Sequence, residues 1–230
     1  MWKVANFRDR ITQWGLKRAV HWTVMATLGR IGIHVHYVNV LSGRREIDMD
    51  DDVTVPEGYE TRPIGLDELL THVDKAPDLV PDRLRVAFAR GDLCIANLFR
   101  GELVGYAFSS WTRTRVNDQI DVLIPRGFRY GYKGWTHPDH RQLHLSRMRG
   151  HVRRRYRRAP HEERGISYVE THNYPSALHT YRHPNLRSLR MGFCGWITIF
   201  GRKIPFNTRR AKWIGFEMVR KDDDGKRQYV

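Results

Sequence analysis

Residues 134–146 read GWTHPDHRQLHLS and join an aromatic, strand-like segment to a helix start through a proline turn. In many folds a strand, a turn and a helix start in this order present backbone N–H groups to a phosphate. Such loops usually contain glycine, because the backbone must come close to the ligand. Here Gln142, His144 and Ser146 stand where glycine is expected. Three interpretations are open: a phosphate cradle, a histidine metal site, or an ordinary structural turn.

The segments on either side of this turn predict a mixed α+β fold. Residues 93–99 and 103–111 have the pattern of two strands of a hairpin, joined by the turn Arg100-Gly101-Glu102. Further strands are predicted at 58–64, 128–136, 165–173, 193–201 and 213–219, and helices at 66–73, 81–90, 143–158 and 175–191. Because hairpins are mixed with strand–helix–strand crossovers, the sequence predicts a mixed sheet with helices on both faces.

The composition indicates a polyanionic partner. The 230 residues carry a formal net charge of +15, and 40 % of them are hydrophobic, which is enough for a core. Such a charge suits nucleic acid, an anionic membrane surface or a phosphorylated ligand. The two cysteines, Cys94 and Cys194, form no CxxC pair. We therefore expect a reducing, cytoplasmic compartment and no disulfide framework.

The chain is predicted to divide into four parts: a basic extension (1–45), an acidic linker (46–57), the main domain (58–220) and a charged tail (221–230). In residues 1–32, tryptophans and other apolar residues alternate with Lys and Arg at roughly helical spacing. One interpretation is a helix packed on the domain. The other is an interfacial helix on anionic lipid at the inner face of the membrane. Within residues 1–32 the longest uncharged run is 19–29, which is too short to span a bilayer, and we expect no cleavable signal peptide.

From about residue 58 to residue 219 the chain resembles the GCN5-related N-acetyltransferase superfamily. GYETRPI (58–64) is similar to the family's opening strand, and ARGDLCIANLFRGELVGYAFSSW (89–111) to its central hairpin, whose second strand carries Val-Gly-Tyr. WTHPDHRQLHLS (135–146) falls on the acyl-CoA motif V-x-P-x-x-R-G-x-G-x-G/A. Thr136, Pro138 and Arg141 hold its first, third and sixth places. NLRSLRMGF (185–193) resembles the late N-x-x-S element that ends in Gly-Phe.

The resemblance implies a GNAT-like, mostly antiparallel mixed sheet and a CoA-dependent N-acyltransferase. Such an enzyme passes an acetyl or longer acyl group from the thioester to an amine by direct attack in a ternary complex. The acceptor would be a small-molecule, sugar-related or lipid-linked amine. The strand ending at Thr136 and the strand at 165–173 would splay apart to admit the pantetheine arm. A backbone N–H there would stabilise the oxyanion.

The pyrophosphate would lie over the N–H groups at the start of the following helix, where the helix dipole is positive. The resemblance implies no metal. The residues it assigns to CoA are Trp135, Thr136, His137, Arg141, Gln142, Leu143, His144, Leu145, Ser146, Arg147, Asn185 and Ser188. HNYPSALHTY (172–181) offers Asn173 as an alternative to Asn185.

The acceptor amine must lose a proton, for which a general base near neutral pKa is suited. Glu170, in the strand segment YVETHN, is the first candidate, and a salt bridge to a nearby arginine is its structural alternative. His172 would share the face of Glu170 in a regular strand, and His137 is a further candidate base. Tyr181 would protonate the leaving thiolate, as a tyrosine does in many relatives, or would pack in the core.

Absence of glycine from the acyl-CoA motif leaves three outcomes open. In the first, residues 142–146 keep ordinary helical dihedrals and turn their side chains away from the phosphates. In the second, the loop widens and the side chain of His144 or Arg147 binds a phosphate. In the third, CoA binding is weak or lost. In the last case the chain would be a degenerate relative. It would serve as a basic adaptor for anionic membrane, RNA or a partner protein.

Two histidine- and arginine-rich patterns remain. His137, His140, His144 and His151 do not follow the HExxH spacing and have no Cys or acidic cluster beside them, so a metal site is disfavoured. The run RMRGHVRRRYRR (147–158) suits a solvated helix face, phosphate binding by its first turn, or anionic lipid or nucleic acid. No RNP, KH or zinc-finger pattern supports a nucleic-acid module.

Overall fold

The computed structural model describes residues 11–12, 15–42, 55–76, 79–141, 144–156, 158, 164–170 and 189–222. Only the backbone is described at Arg18, Trp22, Tyr37, Ser42, Glu170, Leu189, Arg190 and Met191. The predicted helix at 175–191, the acidic part of the linker and most of the tail lie outside this part of the chain.

An eight-stranded sheet organises the molecule, in the order β10-β9-β1-β8-β7-β4-β3-β2. Its strands are β1 (Ile33–Ser42), β2 (Tyr59–Pro63), β3 (Leu93–Phe99), β4 (Glu102–Ser110), β7 (Phe128–Thr136), β8 (Arg164–Glu170), β9 (Leu189–Ile199) and β10 (Arg202–Asn207). All neighbours pair antiparallel except β7 and β8, which are parallel. A second, three-stranded sheet contains β5 (Thr114–Arg115), β6 (Ile120–Leu123) and β11 (Glu217–Arg220).

Five helices accompany the strands in the described part of the chain: α1 (Leu16–Arg30), α2 (Leu66–Leu70), α3 (Pro81–Ala89), α4 (Leu145–Arg154) and α5 (Arg209–Ile214). Leu69 of α2 and Leu84 of α3 pack in one cluster with Ala96 of β3. The next residue of β3, Asn97, contacts Arg149 of α4. Because successive residues of a strand face opposite sides, α4 lies on the other face of the sheet from α2 and α3.

The predicted fold class is therefore confirmed: a mixed, mostly antiparallel sheet with helices on both faces. The small sheet covers the main sheet through a second cluster, in which Phe216 and Met218 meet Val38, Tyr130 and Ile166. Among the described residues, none of the helices has the length and apolar character that crossing a bilayer requires.

The N-terminal segment differs from the predicted division at residue 45. Residues 33–41 alternate in the sequence as a strand does, and β1 lies inside the main sheet, paired with β8 on one side and β9 on the other. Val38 and Val40 are completely buried. Both ladders of β1 are hydrogen-bonded, so this strand is part of the core, and only the residues before it can form an extension.

Two other segments also differ from the prediction. The segment between the strands predicted at 103–111 and 128–136, for which no strand is predicted, contains β5 and β6. The strand predicted at 213–219 begins as the end of α5 and becomes a strand only at Glu217. Gly215, with φ 79°, ends the helix, and Phe216 behind it is buried. The apolar residues of this segment therefore belong partly to the end of a helix and partly to the start of a strand. A pattern of seven residues is too short to distinguish the two.

Candidate functional site

An open wedge separates the two parallel strands β7 and β8. They pair at only three positions, Phe128–Arg164, Arg129–Gly165 and Tyr130–Ile166. Beyond these positions β7 continues alongside β4, and β8 continues alongside β1. The strands thus diverge from Gly131 and Ser167 onward, which is the splay that the resemblance implied.

The end of β7 directs one backbone N–H into this wedge. A bulge at Lys133, with φ 48°, shifts the register of β7 against β4. The N–H of His137 donates to the carbonyl of Val104 over 2.8 Å. That N–H is therefore engaged within the sheet and is not a free donor for a pantetheine arm or an oxyanion. Successive N–H groups of a strand point to opposite sides, so the N–H of Thr136 faces the wedge.

The start of α4 keeps its first N–H groups open. His144 is the N-cap, and no side chain caps the helix. Arg147 uses its N–H to bond the carbonyl of His144 at 2.8 Å. Leu145 and Ser146 carry the first two helical N–H groups, which have no partner inside a helix. Leu145 is buried and anchors this end, whereas Ser146 and Arg147 are exposed. The helix start thus offers uncapped donors at the positive end of its dipole.

His144 takes up the backbone conformation that glycine usually supplies. Its φ is +53° and its ψ is 25°, in the left-handed region. The expectation that residues 142–146 hold ordinary helical dihedrals is therefore wrong at His144. One of the three glycine positions of the motif keeps a glycine-like backbone without glycine. Histidine is among the non-glycine residues that adopt this region more often than most.

A row of polar residues crosses four strands beneath α4. Thr61, Asn97, Gly105 and Thr136 are register partners on β2, β3, β4 and β7 in turn. Arg149 of α4 lies on this row. Its guanidinium donates through Nη1 to Asn97 Oδ1 and through Nη2 to Thr136 Oγ1, the latter over 3.1 Å. Asn97 Nδ2 donates in turn to Thr61 Oγ1 over 2.6 Å. The guanidinium therefore ties the end of β7 to the centre of the sheet.

Gly105, the glycine of the Val-Gly-Tyr element, makes room for this guanidinium. A Cβ at residue 105 would lie 2.5 Å from Arg149 Nη1 and 3.2 Å from the carbonyl oxygen of Trp135. No L side chain fits between the strand and the arginine without displacing one of them. Glycine inside a strand often marks such a close approach.

Arg149 is a buried positive charge that has no carboxylate in contact within the described ranges. It is 5 % exposed, and its side chain bonds only neutral oxygens. Burial lowers the pKa of Arg149 to about 10, so the side chain stays protonated at neutral pH. Burying an unpaired charge opposes folding. The charge lies in the second turn of α4, where it adds to the positive potential of the helix start.

The histidines near the turn make ring contacts. The Tyr59 hydroxyl and His140 Nδ1 lie 2.5 Å apart, within hydrogen-bond distance. His137 packs edge-on against both His140 and Trp135. Within the described ranges, no group of three or more His, Cys, Asp or Glu side chains gathers in a way that could hold a metal ion.

Glu170 occupies the last described position of β8. Its backbone pairs with that of Val38 on β1. It lies four residues beyond Ile166, the last residue of β8 that pairs with β7. The other predicted residues Gln142, Leu143, His172, Asn173, Tyr181, Asn185 and Ser188 lie outside the described residues.

Arg149, Asn97 and Thr61 were not predicted as site residues. Arg149 falls in the arginine-rich run at 147–158, which suggested a solvated face or a surface for anions. Gly105 was noted only as part of a family motif, although its place inside an apolar strand indicates a close neighbour. Sequence spacing does not show that these residues meet.

The divergent parallel pair and the helices on both faces of a mixed, mostly antiparallel sheet agree with the GNAT-like fold class that the motifs predicted. No family model matches the chain. No curated protein matches it either.

Solved structures that resemble the chain include a tandem GNAT protein from the clavulanic acid biosynthesis pathway, with 15 % identity and a TM-score of 0.46. The match covers 74 % of this chain and 55 % of that one. A GCN5-related N-acetyltransferase from Sphaerobacter thermophilus has 11 % identity and a TM-score of 0.45, with coverage of 90 % and 70 %.

A Drosophila protein has 14 % identity, a TM-score of 0.48 and coverage of 79 % and 57 %. The chain thus spans little more than half the length of the Drosophila protein and of the tandem protein. At such identities the likeness concerns the fold alone.

Proposed function

We propose that the chain is a CoA-dependent N-acyltransferase. The observation that carries this proposal is the open wedge between β7 and β8, which leads to the uncapped start of α4. An acyl-CoA has an extended pantetheine arm and a pyrophosphate. The wedge would hold the arm, and the start of α4 would hold the pyrophosphate.

The residues present fit acyl-CoA as a co-substrate. Thr136 has an N–H that faces the wedge and would pair with the arm or the thioester oxygen. The N–H groups of Leu145 and Ser146, together with the exposed side chain of Arg147, would hold the pyrophosphate. The buried charge of Arg149 adds positive potential close to both places. When bound, CoA supplies a thioester whose carbonyl carbon accepts the amine.

The proton transfers fall to residues of β8 and the segment after it. In our proposal the Glu170 carboxylate accepts the proton that the acceptor nitrogen loses as it bonds the thioester carbon. The C–S bond then breaks, and the Tyr181 hydroxyl gives its proton to the thiolate. His172 is the alternative base. Glu170 is preferred because it lies on β8, the strand that borders the wedge, beyond the last residue that pairs with β7.

For the acceptor we propose an amine on a small, sugar-related or lipid-linked molecule, and for the donor an acetyl or longer acyl group. The length of the acyl group depends on the depth of the wedge. A panel of acyl-CoAs of increasing chain length therefore measures it directly.

The test combines CoA binding with turnover. We expect acetyl-CoA or a longer acyl-CoA to raise the melting temperature of the full chain, and Glu170→Gln to keep this shift while turnover falls about a hundredfold or more. Glu57→Gln, a change at an exposed carboxylate outside the wedge, is the control that leaves both unchanged. A chain whose melting temperature responds to no acyl-CoA is not this enzyme.

The second candidate is a degenerate relative that acts as a basic adaptor for membrane, RNA or a partner protein. The three missing glycines of the motif and the net charge of +15 favour it. It predicts salt-sensitive binding to anionic vesicles or RNA, no CoA binding and no thioester cleavage. The same melting experiment with acyl-CoA separates the two candidates.

A further inference from the structure

The elements at one end of the sheet contain basic residues and no acidic ones. Residues 15–42 and 189–216, called the basic end below, contain no Asp or Glu. They form α1, β1, β9, β10 and α5. Their nine basic residues are Lys17, Arg18, Arg30, Arg190, Arg202, Lys203, Arg209, Arg210 and Lys212. Lys203 pairs with Asp118 from the neighbouring β5–β6 loop. The surface is therefore complementary to a polyanion.

The basic end also holds most of the exposed apolar side chains. Of the eleven large apolar side chains that are exposed in the described part of the chain, seven lie here. They are Leu16, Val20, Val24, Ile31, Phe200, Ile204 and Trp213. Scattered exposed apolar residues are normal on a soluble surface, but a concentration on one side marks an interaction site.

Two of these residues, distant in the sequence, lie beyond the same end of one strand ladder. Ile31 follows the last turn of α1, and Phe200 begins the turn between β9 and β10. Ile33 and Ile199 are register partners, so both side chains lie just beyond the same end of the ladder. Ile31 is 63 % exposed and Phe200 is 91 % exposed.

The side chains beside this pair continue the pattern. Exposed Arg30 and Arg202 flank Ile31 and Phe200 in the chain. Along α1, Leu16, Val20 and Val24 recur every fourth residue and so form one stripe. The surface thus combines apolar side chains with arginines at its border.

Phe200 has a backbone conformation that phenylalanine rarely adopts. Phe200 and Gly201 have φ values of +46° and +80°, as in a two-residue type I′ turn. Such turns favour Asn-Gly or Asp-Gly, and a bulky residue with positive φ is an outlier. The hairpin between β3 and β4 has the same form with Arg100 and Gly101 at φ +51° and +85°. Phenylalanine at an exposed I′ position does not help folding, so we attribute it to a contact outside the chain.

We propose that the basic end binds the surface of an anionic lipid bilayer, with Phe200 and Ile31 entering the headgroup region and the surrounding Arg and Lys side chains on the lipid phosphates. Apolar side chains bordered by arginine and lysine are the composition of interfacial membrane anchors. The long basic side chains reach the headgroups while their stems cover apolar surface.

The charges argue against a second copy of the chain as the occupant. A two-fold interface places a patch against itself. Here that would bring basic residues of one copy against basic residues of the other, with no acidic residue of the basic end to pair with them. The anionic bilayer instead neutralises them.

The test measures co-sedimentation of the full chain with phosphatidylcholine vesicles, with and without phosphatidylglycerol. We expect binding that requires phosphatidylglycerol and weakens steeply with salt. The double variant Ile31→Ser/Phe200→Asn should bind at least tenfold more weakly. Asn suits the I′ turn, so this variant is expected to fold. Val86→Ser, at a half-exposed position on α3 outside the basic end, is the matched control and should bind like the parent.

Three results would overturn the proposal. The first is undiminished vesicle binding by the double variant. The second is equal binding to vesicles that lack phosphatidylglycerol. The third is a concentration-dependent dimer, or RNA binding in place of vesicle binding, that the same two substitutions abolish. Acyl-CoA shifts of the melting temperature should be identical in the parent and the double variant, so the outcome here is independent of the proposed enzyme activity.

Discussion

The two ends of the sheet differ in the kind of side chain that is unusually placed: one end buries a charged side chain, and the other exposes aromatic ones. Beneath α4, the strands β2, β3, β4 and β7 bury Arg149, a charge without a carboxylate partner in the described residues. At the basic end, Phe200 and Trp213 leave aromatic surface in water. Proteins normally bury apolar side chains and expose charged ones. The buried charge of Arg149 and the exposed aromatic side chains both lower the stability of the fold. Ligand binding therefore explains them better than folding does.

The comparison also separates two uses of positive charge. Arg149 is held in one position by Asn97 and Thr136, next to a strand end and a helix start where a single ligand would fit. The basic residues of the basic end are spread over four elements, α1, β9, β10 and α5, as suits a broad surface. The first arrangement favours a defined phosphate, and the second an extended anionic layer.

The largest effect is expected from Gly195→Ala, which tests whether β1 belongs to the sheet. Gly195 on β9 lies between Tyr37 of β1 and Phe206 of β10. A Cβ there would lie 1.9 Å from the carbonyl oxygen of His36, a backbone atom that can move only with its strand. We expect a loss of about 3 kcal/mol or more in the free energy of unfolding, measured by urea denaturation.

Gly131→Ala is the control for this change. Gly131 is also a strand glycine, and a Cβ there meets no heavy atom within 4 Å. It should change the free energy of unfolding by less than about 1 kcal/mol. If both variants unfold at the same urea concentration, β1 does not pair with β9 as described.

Arg149→Met tests the other end of the sheet. Removing the buried charge relieves its desolvation but leaves Asn97 Oδ1 without a donor, so the two changes in stability offset each other to within about 1 kcal/mol. Affinity for CoA should nevertheless fall about tenfold, because positive potential is lost beside Thr136 and the start of α4. Calorimetric titration with CoA and urea denaturation measure the two quantities.

Arg155→Met, at the exposed end of the same helix, is the matched control and should leave CoA affinity unchanged. The opposite result is that Arg149→Met lowers the free energy of unfolding by several kcal/mol while the folded protein binds CoA with normal affinity. Arg149 would then have a structural role and no role in binding.

His144→Gly should stabilise the protein. His144 has a left-handed backbone conformation. This conformation lowers the free energy of unfolding by about 1 kcal/mol for a residue that has a Cβ, but not for glycine. Part of this gain is offset by the greater freedom of glycine in the unfolded chain. We expect a higher midpoint of thermal unfolding and CoA affinity at least equal to that of the parent. A drop in CoA affinity would show instead that the His144 side chain contacts the ligand.

The smallest effect is expected from Phe200→Asn alone. The side chain is almost fully exposed, and Asn suits the I′ turn better than Phe does. The free energy of unfolding should stay equal or rise by less than about 0.5 kcal/mol. A marked loss of stability would mean that Phe200 packs against the chain itself, and the comparison between the two ends would fail.

Local patterns were sufficient for most of the elements. The strand at 128–136 and the strand at 93–99 were predicted with their observed bounds, because each alternates or runs apolar between clear turn residues. The helix predicted at 143–158 was observed as Leu145–Arg154. The hairpin turn at Arg100-Gly101 and the order of strands and helices were enough to indicate a mixed α+β sheet with helices on both faces.

Tertiary structure decided what depends on distant residues meeting. The alternation of residues 33–41 predicts a strand but does not say which strands it pairs with, and only the register with β8 and β9 puts it inside the sheet. An arginine in a basic run has the pattern of a surface residue, and only the row formed by Thr61, Asn97 and Thr136 shows that Arg149 is buried.

The sequence by itself determined the strand and helix order, the place of the acyl-CoA motif and the excess of positive charge, because these depend on residues close together in the chain. The structure decided that the N–H of His137 donates to the carbonyl of Val104, that Gly105 makes room for a guanidinium, and that Ile31 and Phe200 lie beyond the same end of one ladder. Each of these depends on a pairing register between distant strands, which the pattern of any one strand does not specify.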